Sequence, residues 1–422
     1  MKSIVGVTEM VTFMGRSGRW MAAILVVFVL GAVAPARAAE EESDLRARAL
    51  KLNDITGDDV IRGELLTLLD DIPGTKKLVS AASKMVTGMD QPFNINATYI
   101  LATAARAAKD VESSEKFYRL QADQAKKLDN SQKMVNAYAS LSDLFLENKK
   151  YAECEKVSQE LLEVLGDRAP IAFCERVALA MVRQGHFDQA TKFAKGIIGR
   201  TKGKWRAKGI LGLVQREAGQ SEEAAKTYEQ ILEDVKKEKG IKEVELKEYT
   251  HRYRYILSGV YMDLDNVEKA AEHLKALLED KPDDPTYNND LGYIWADHDM
   301  NLDEAEKMIR KALDEDRKQR RKEDPDIKPE DDKDNAAYLD SLAWVLFRKK
   351  KPKEALPYLE QAVKDEEGKH IEIFDHLAQV HLALGDKAKA IEAWKKGLEI
   401  AGTSKREQQR KVEVEKKLKE NE

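Results

Sequence analysis

Leu291–Leu313 ("LGYIWADHDMNLDEAEKMIRKAL") and Leu342–Val363 ("LAWVLFRKKKPKEALPYLEQAV") write one pattern twice: a Leu and a small residue, an aromatic, a polar turn, then Glu-Ala and a second apolar stripe. The Leu-small pair recurs as Leu257-Ser258, Leu291-Gly292, Leu342-Ala343 and Leu377-Ala378. Twelve residues after the small residue stands Ala270, Ala355 or Ala390, and thirteen after Gly292 stands Ala305. Each copy reads as two antiparallel helices of about 14 residues, too little apolar surface to offset the chain entropy of ordering them alone. Stacked copies share one continuous core, so the chain is constrained to an array. Small residues at Gly292, Ala305, Ala312, Ala343, Ala355 and Ala362 let paired helices approach closely, and the larger ones fill the gap to the next hairpin.

Weaker copies extend upstream. Val177-Ala178 with Gly185 and Ala190, Leu211-Gly212 with Gly219 and Ala224, Leu141-Ser142 with Tyr151, and Leu101-Ala102 with Tyr118 follow the same template. The copies start near residues 95, 135, 171, 205, 251, 285, 336 and 371, mostly 34 to 36 apart. This pattern resembles the tetratricopeptide repeat, whose signature has a period of about 34 residues. The expected fold is all-α, an α-solenoid of about eight helical hairpins over residues 95–402. Residues 39–94 read as a degenerate helical cap and 403–422 as a charged capping helix. The stretch 314–335 holds 17 charged residues of 22 and reads as a solvated loop between hairpins, with a binding segment as the alternative.

Residues 1–38 read as a signal peptide. A flank carrying Arg16 and Arg19 precedes the 14-residue apolar run Met21–Ala34, and Ala36-Arg37-Ala38 fits a small-x-small cleavage site. The run is short for a membrane span, which needs about 20 residues. Cleavage after Ala38 with export to the periplasm is the expectation, and a retained N-terminal anchor is the alternative. The formal net charge is −5, and because the leader carries four cations against one anion, the remainder is more acidic still. Such a surface argues against nucleic acid as a partner. Cys154 and Cys174 both fall on apolar stripes, as two buried thiols or as one bridge between neighbouring helices.

Nothing in the sequence carries chemistry. His370, His376 and His381 lie close together, but no metal-ligand spacing accompanies them, and His381 fills the large-residue slot of its repeat. Glu372 and Asp375 read as solvated surface carboxylates. No phosphate loop, dinucleotide fingerprint or nucleophile elbow occurs. The expectation is therefore a non-enzyme with no cofactor and no metal.

In the resembled family the first helices of the hairpins line a concave groove that holds peptides or helices. On that side fall Tyr255, Asn289, Tyr293, Trp344, Phe347 and Arg348, the candidate partner-binding residues. They read either as an aromatic recognition stripe or as core between hairpins. The family's carboxylate clamp is absent, with Asn289, Asp340 and Asp375 at the comparable places, so an apolar or basic partner segment is expected. The repeats resemble those of envelope proteins of Gram-negative bacteria. That resemblance implies a protein–protein scaffold or adaptor for envelope proteins, or an accessory subunit positioning an envelope enzyme or a polysaccharide or cell-wall assembly machine.

Overall fold

The computed structural model describes residues 39–86, 92–166, 169–201, 204–329, 331–402 and 405–422, with 405–407 as backbone alone. The leader read at 1–38 lies outside these residues. Regular structure among the described residues is helical, without strands. None of the described helices is long and apolar enough to cross a membrane. The chain divides into two compact units, Met1–Arg200 and Thr201–Glu422.

The N-terminal unit opens with α1 (39–51), α2 (Asp58–Asp70) and α3 (Ile72–Met85). Three hairpins follow: α4 (Ile95–Ala107) with α5 (Val111–Lys127), α6 (Ser131–Glu147) with α7 (Tyr151–Leu165), and α8 (Ile171–Arg183) with α9 (Phe187–Arg200). A reciprocal asparagine pair ties the cap to the first hairpin. Asn94 N donates to Asn53 Oδ1 and Asn94 Nδ2 to Asn53 O, both at 2.7 Å. Asn94 also caps α4 by accepting from the amides of Asn96 and Ala97. Leu101, Phe117 and Phe145 are fully buried between the hairpins. Cys154 on α7 and Cys174 on α8 are buried free thiols.

The C-terminal unit holds α10 (Trp205–Glu217) with α11 (Ser221–Lys237), α12 (Glu243–Asp263) with α13 (Val267–Asp280), and α14 (Pro285–Asp297) with α15 (Leu302–Glu323). Then come α16 (Ala336–Arg348) with α17 (Pro352–Ala362), α18 (Ile371–Ala383) with α19 (Lys387–Ile400), and the single helix α20 (Lys405–Asn421). Ala270, Ala305, Ala312, Ala343, Ala355, Ala362 and Ala390 are all fully buried, as the close approach of paired helices demands. The turn inside each hairpin repeats one device. The amides of Asn266, Met300, Lys351 and Asp386 each return to the carbonyl five residues earlier, at 2.7–2.9 Å. The residue before each (Asp265, Asp299, Lys350 or Gly385) is left-handed, which closes the first helix as a Schellman-type cap.

The charged stretch after Asp314 departs from the expected loop. The helix α15 runs on to Glu323, and the following chain turns back along it. Arg320 pairs with Asp316 one turn away at 2.7 Å and with Asp332 at 3.1 Å, while Arg321 reaches Asp332 and Arg317 reaches Asp334. Opposite charges at helical spacing, met by carboxylates on the returning segment, replace the apolar contacts that this stretch lacks.

Candidate functional site

The six candidate residues all belong to the C-terminal unit, on the first helices α12, α14 and α16. Their side of the stack is concave. Tyr293 on α14 donates its phenol to Glu372 Oε1 on α18 at 2.7 Å, spanning the intervening α16. Side chains two hairpins apart meet only on the inside of a curve.

Toward α20 this concave side is closed by the chain itself. Trp344 is only 5% exposed; its ring stacks on His376 with centroids 4.0 Å apart, and its Nε1 donates to Asp297 Oδ1 at 3.0 Å. Phe347 is the second ring stacked on Trp344, with centroids 5.2 Å apart. The guanidinium of Arg348 lies 5.5 Å from the Trp344 ring and is ion-paired with Asp299. His376 is buried and its Nδ1 meets Asp340 Oδ1 at 2.8 Å. Burial opposes charge on this imidazole, but the carboxylate of Asp340 outweighs it and holds the pKa above the ordinary value.

The charge hub beside it was not legible in sequence. Asp375, read as a solvated surface carboxylate, is completely buried. It accepts from Trp394 Nε1 at 2.9 Å, Lys417 Nζ at 2.7 Å and Arg410 Nη1 at 3.3 Å. Arg410 also reaches Glu372 at 3.1 Å. Thus α20 lies against α18 and α19, and it supplies cations to the carboxylates of α18. A solvated reading of Asp375 fails because its three donors come from 19 to 42 residues away.

Toward α12 the same side is open. Tyr255 is 39% exposed, lies 5.6 Å from the Tyr287 ring and donates its phenol to Asp290 Oδ2 at 2.8 Å. Asn289 is buried; its Nδ2 donates to Asp290 Oδ1 at 3.2 Å, and its Oδ1 has no hydrogen-bond donor among the described residues. Burial first, and then the charge of Asp290, push the Tyr255 phenol well up. Of the six, then, Trp344, Phe347 and Arg348 form one wall with Asp297 and His376. Tyr255 and Asn289 meet at Asp290, and Tyr293 points to Glu372. A separate cleft of about 340 Å³ lies on α15–α17, lined by Arg310, Leu346, Glu354, Pro357, Tyr358 and Gln361. None of the six lines it. His370 caps α18 and His381 is buried in its repeat, and the described residues hold no group of three or more His, Cys, Asp or Glu placed to bind a metal.

Four tetratricopeptide-repeat family models match the chain, over residues 210–237, 260–320, 335–365 and 371–403. No curated protein is a match. Among solved structures, a tetratricopeptide repeat protein from Parabacteroides merdae is similar at 15% identity and a TM-score of 0.46, over 67% of this chain and 98% of that one. A human IFIT1 dimer with PPP-AAAA is similar at 16% identity and 0.47, over 90% of this chain and 85% of that one. MamA from Desulfovibrio magneticus is similar at 17% identity and 0.34, over 46% and 93%. The family models fall on hairpins α10–α19, where the Leu-small marker, the buried alanines and the turns repeat in register, and the chain is a tetratricopeptide repeat protein.

Proposed function

We propose that this protein is a non-catalytic scaffold of the bacterial envelope that holds a peptide or helix of a partner on the concave side of its C-terminal unit. Tetratricopeptide hairpins build protein–protein interaction scaffolds, and the leader read at residues 1–38 supports export. The observation that carries the docking site is the contrast along one face. The closed end buries Trp344 and His376, whereas the open end presents Tyr255, an exposed aromatic held rigidly by Asp290. A large ring fixed in place is the residue type that anchors interfaces, because little entropy is lost on binding.

The test is in-cell crosslinking of the tagged chain followed by mass spectrometry, with Tyr255→Ala alongside. One dominant envelope partner, released by Tyr255→Ala with unchanged melting, is expected. A partner set indifferent to Tyr255→Ala would overturn the docking site, and cytoplasmic fractionation of the chain would overturn the envelope assignment. A dominant partner that is itself an enzyme or assembly-machine subunit would make the chain its positioning subunit.

A further inference from the structure

We infer that α20 is an internal ligand: it sits on an acidic surface of α18 and α14 that accepts a basic helix, and a partner helix bearing the same face takes its place. This goes beyond the docking reading above, since it concerns the closed end of the concave side and makes no use of Tyr255.

The acceptors are set before α20 adds anything. Glu372 and Asp375 stand three residues apart on α18, on one face of the helix. The Tyr293 phenol aims Glu372 from α14, and the Trp394 indole N–H aims Asp375 from α19. Both of these donors are neutral. To them α20 adds charge: Arg410 reaches Glu372 at 3.1 Å and Asp375 at 3.3 Å, and Lys417 reaches Asp375 at 2.7 Å.

That charge holds α20 around a small apolar contact. Arg410, Val414 and Lys417 fall at i, i+4 and i+7, a single stripe of the helix. Val414 is the one fully buried side chain among the described residues of α20, with Leu418 partly buried one turn on. By contrast, α18 buries Ile371, Ile373, Phe374, Leu377 and Val380. Burial works first against the Arg410 guanidinium, yet the carboxylates, Glu372 ahead of Asp375, keep its pKa above the ordinary value. Little apolar surface is therefore exposed when α20 leaves, and Asp375 is satisfied by any helix that returns a cation to it. An apolar helix would cover Asp375 without neutralising it, and an acidic one would be repelled. The partner's signature is thus the α20 stripe itself: a cation, an aliphatic four residues on, and a second cation three beyond.

The probe is a fluorescein-labelled peptide of residues 405–422, titrated with the full chain and followed by anisotropy. In the native chain α20 competes from within at high effective concentration, so binding in trans is masked. Val414→Asp buries an unpaired charge unless α20 leaves, and it should raise the peptide's affinity at least about ten-fold over the native chain. Arg410→Glu with Lys417→Glu sets acids against Glu372 and Asp375 and should unmask the surface equally. This second variant decides the matter should Val414→Asp disturb the fold. Adding Asp375→Asn to either unmasked chain should lower affinity about ten-fold, and a peptide carrying both Glu substitutions should not bind. No peptide binding to either unmasked chain, equal binding to the native chain, or indifference to the peptide's charge overturns the inference. A native chain that sediments as a dimer, and as a monomer once Val414→Asp is introduced, gives the surface to α20 of a second copy and overturns the partner helix.

Discussion

Gly292→Ala sets two effects of known sign against each other. On an open helix face, glycine to alanine gains about 1 kcal/mol of helix propensity. At Gly292, however, a Cβ would meet Ile309 Cγ1 at 2.7 Å and the backbone carbonyl of Ala305 at 2.9 Å. Ile309 is fully buried and cannot swing into solvent, and the carbonyl moves only if α14 and α15 separate. Overpacking of this kind costs about 1–3 kcal/mol, so a net loss of up to about 2 kcal/mol is expected once propensity is credited. Gly196→Ala on α9, where nothing lies within 4 Å, is the control and should gain about 1 kcal/mol. Urea melts read by helicity report both units. Tryptophan fluorescence of residues 39–422 reports the C-terminal unit alone, because Trp205, Trp295, Trp344 and Trp394 all lie there. A Gly292→Ala chain stabilised like Gly196→Ala would refute the close packing on which the repeat argument rests.

Other consequences follow from buried polar groups. Asp375→Ala leaves the Trp394 indole N–H without its acceptor and should cost about 3 kcal/mol, the low end for a broken buried pair because Arg410 and Lys417 can turn to water; Asp375→Asn, which keeps an acceptor, should cost clearly less in the same fluorescence melts, and equal losses would contradict the assignment. The folded-state pKa of His376 is raised, so the Asp340–His376 link contributes fully below the ordinary imidazole value and fades as pH rises through the folded value. The stability difference between the native chain and Asp340→Asn should therefore shrink on going from about pH 5 to 9, and a difference that grows would be contrary. Burial pushes the Cys154 thiol up to about 11 and raises Cys174 as well. Ellman's reagent should accordingly react slowly with the folded chain and reach both thiols in denaturant, whereas two fast thiols in the folded state would place them at the surface.

The array was legible because its constraint is local: a hairpin needs small residues where its helices touch, and Ala270, Ala305, Ala355 and Ala390 announce this at fixed spacing. What periodicity does not encode is curvature. Trp344 and Tyr293 sit at the inward positions, yet the stack bends enough for α14 to reach α18, so positions that would face a groove in a flatter array face each other. Tyr255 escapes because it lies farther from α18 and α20. Asp375 misled for a related reason, since its donors Arg410 and Lys417 arrive from the terminal helix, beyond the reach of any helical window. The charged stretch after Asp314 was opaque in another way. Its composition forbids an apolar core, but the order of its signs, which sets Arg317, Arg320 and Arg321 against Asp332 and Asp334, permits a helix with a return.

The account turns on a partner occupying the open end beside Tyr255. A photo-crosslinking residue placed in cells at Glu248 or Arg252, exposed positions two turns and one turn before Tyr255 on the same face of α12, tests this most directly. Glu272 and Glu279, exposed on α13, are the comparison. The account predicts a discrete adduct from the α12 positions, mapped to one segment of the partner, and none from α13. Adducts from α13 with silence at α12 would contradict it and move the binding surface to the other side of the hairpin.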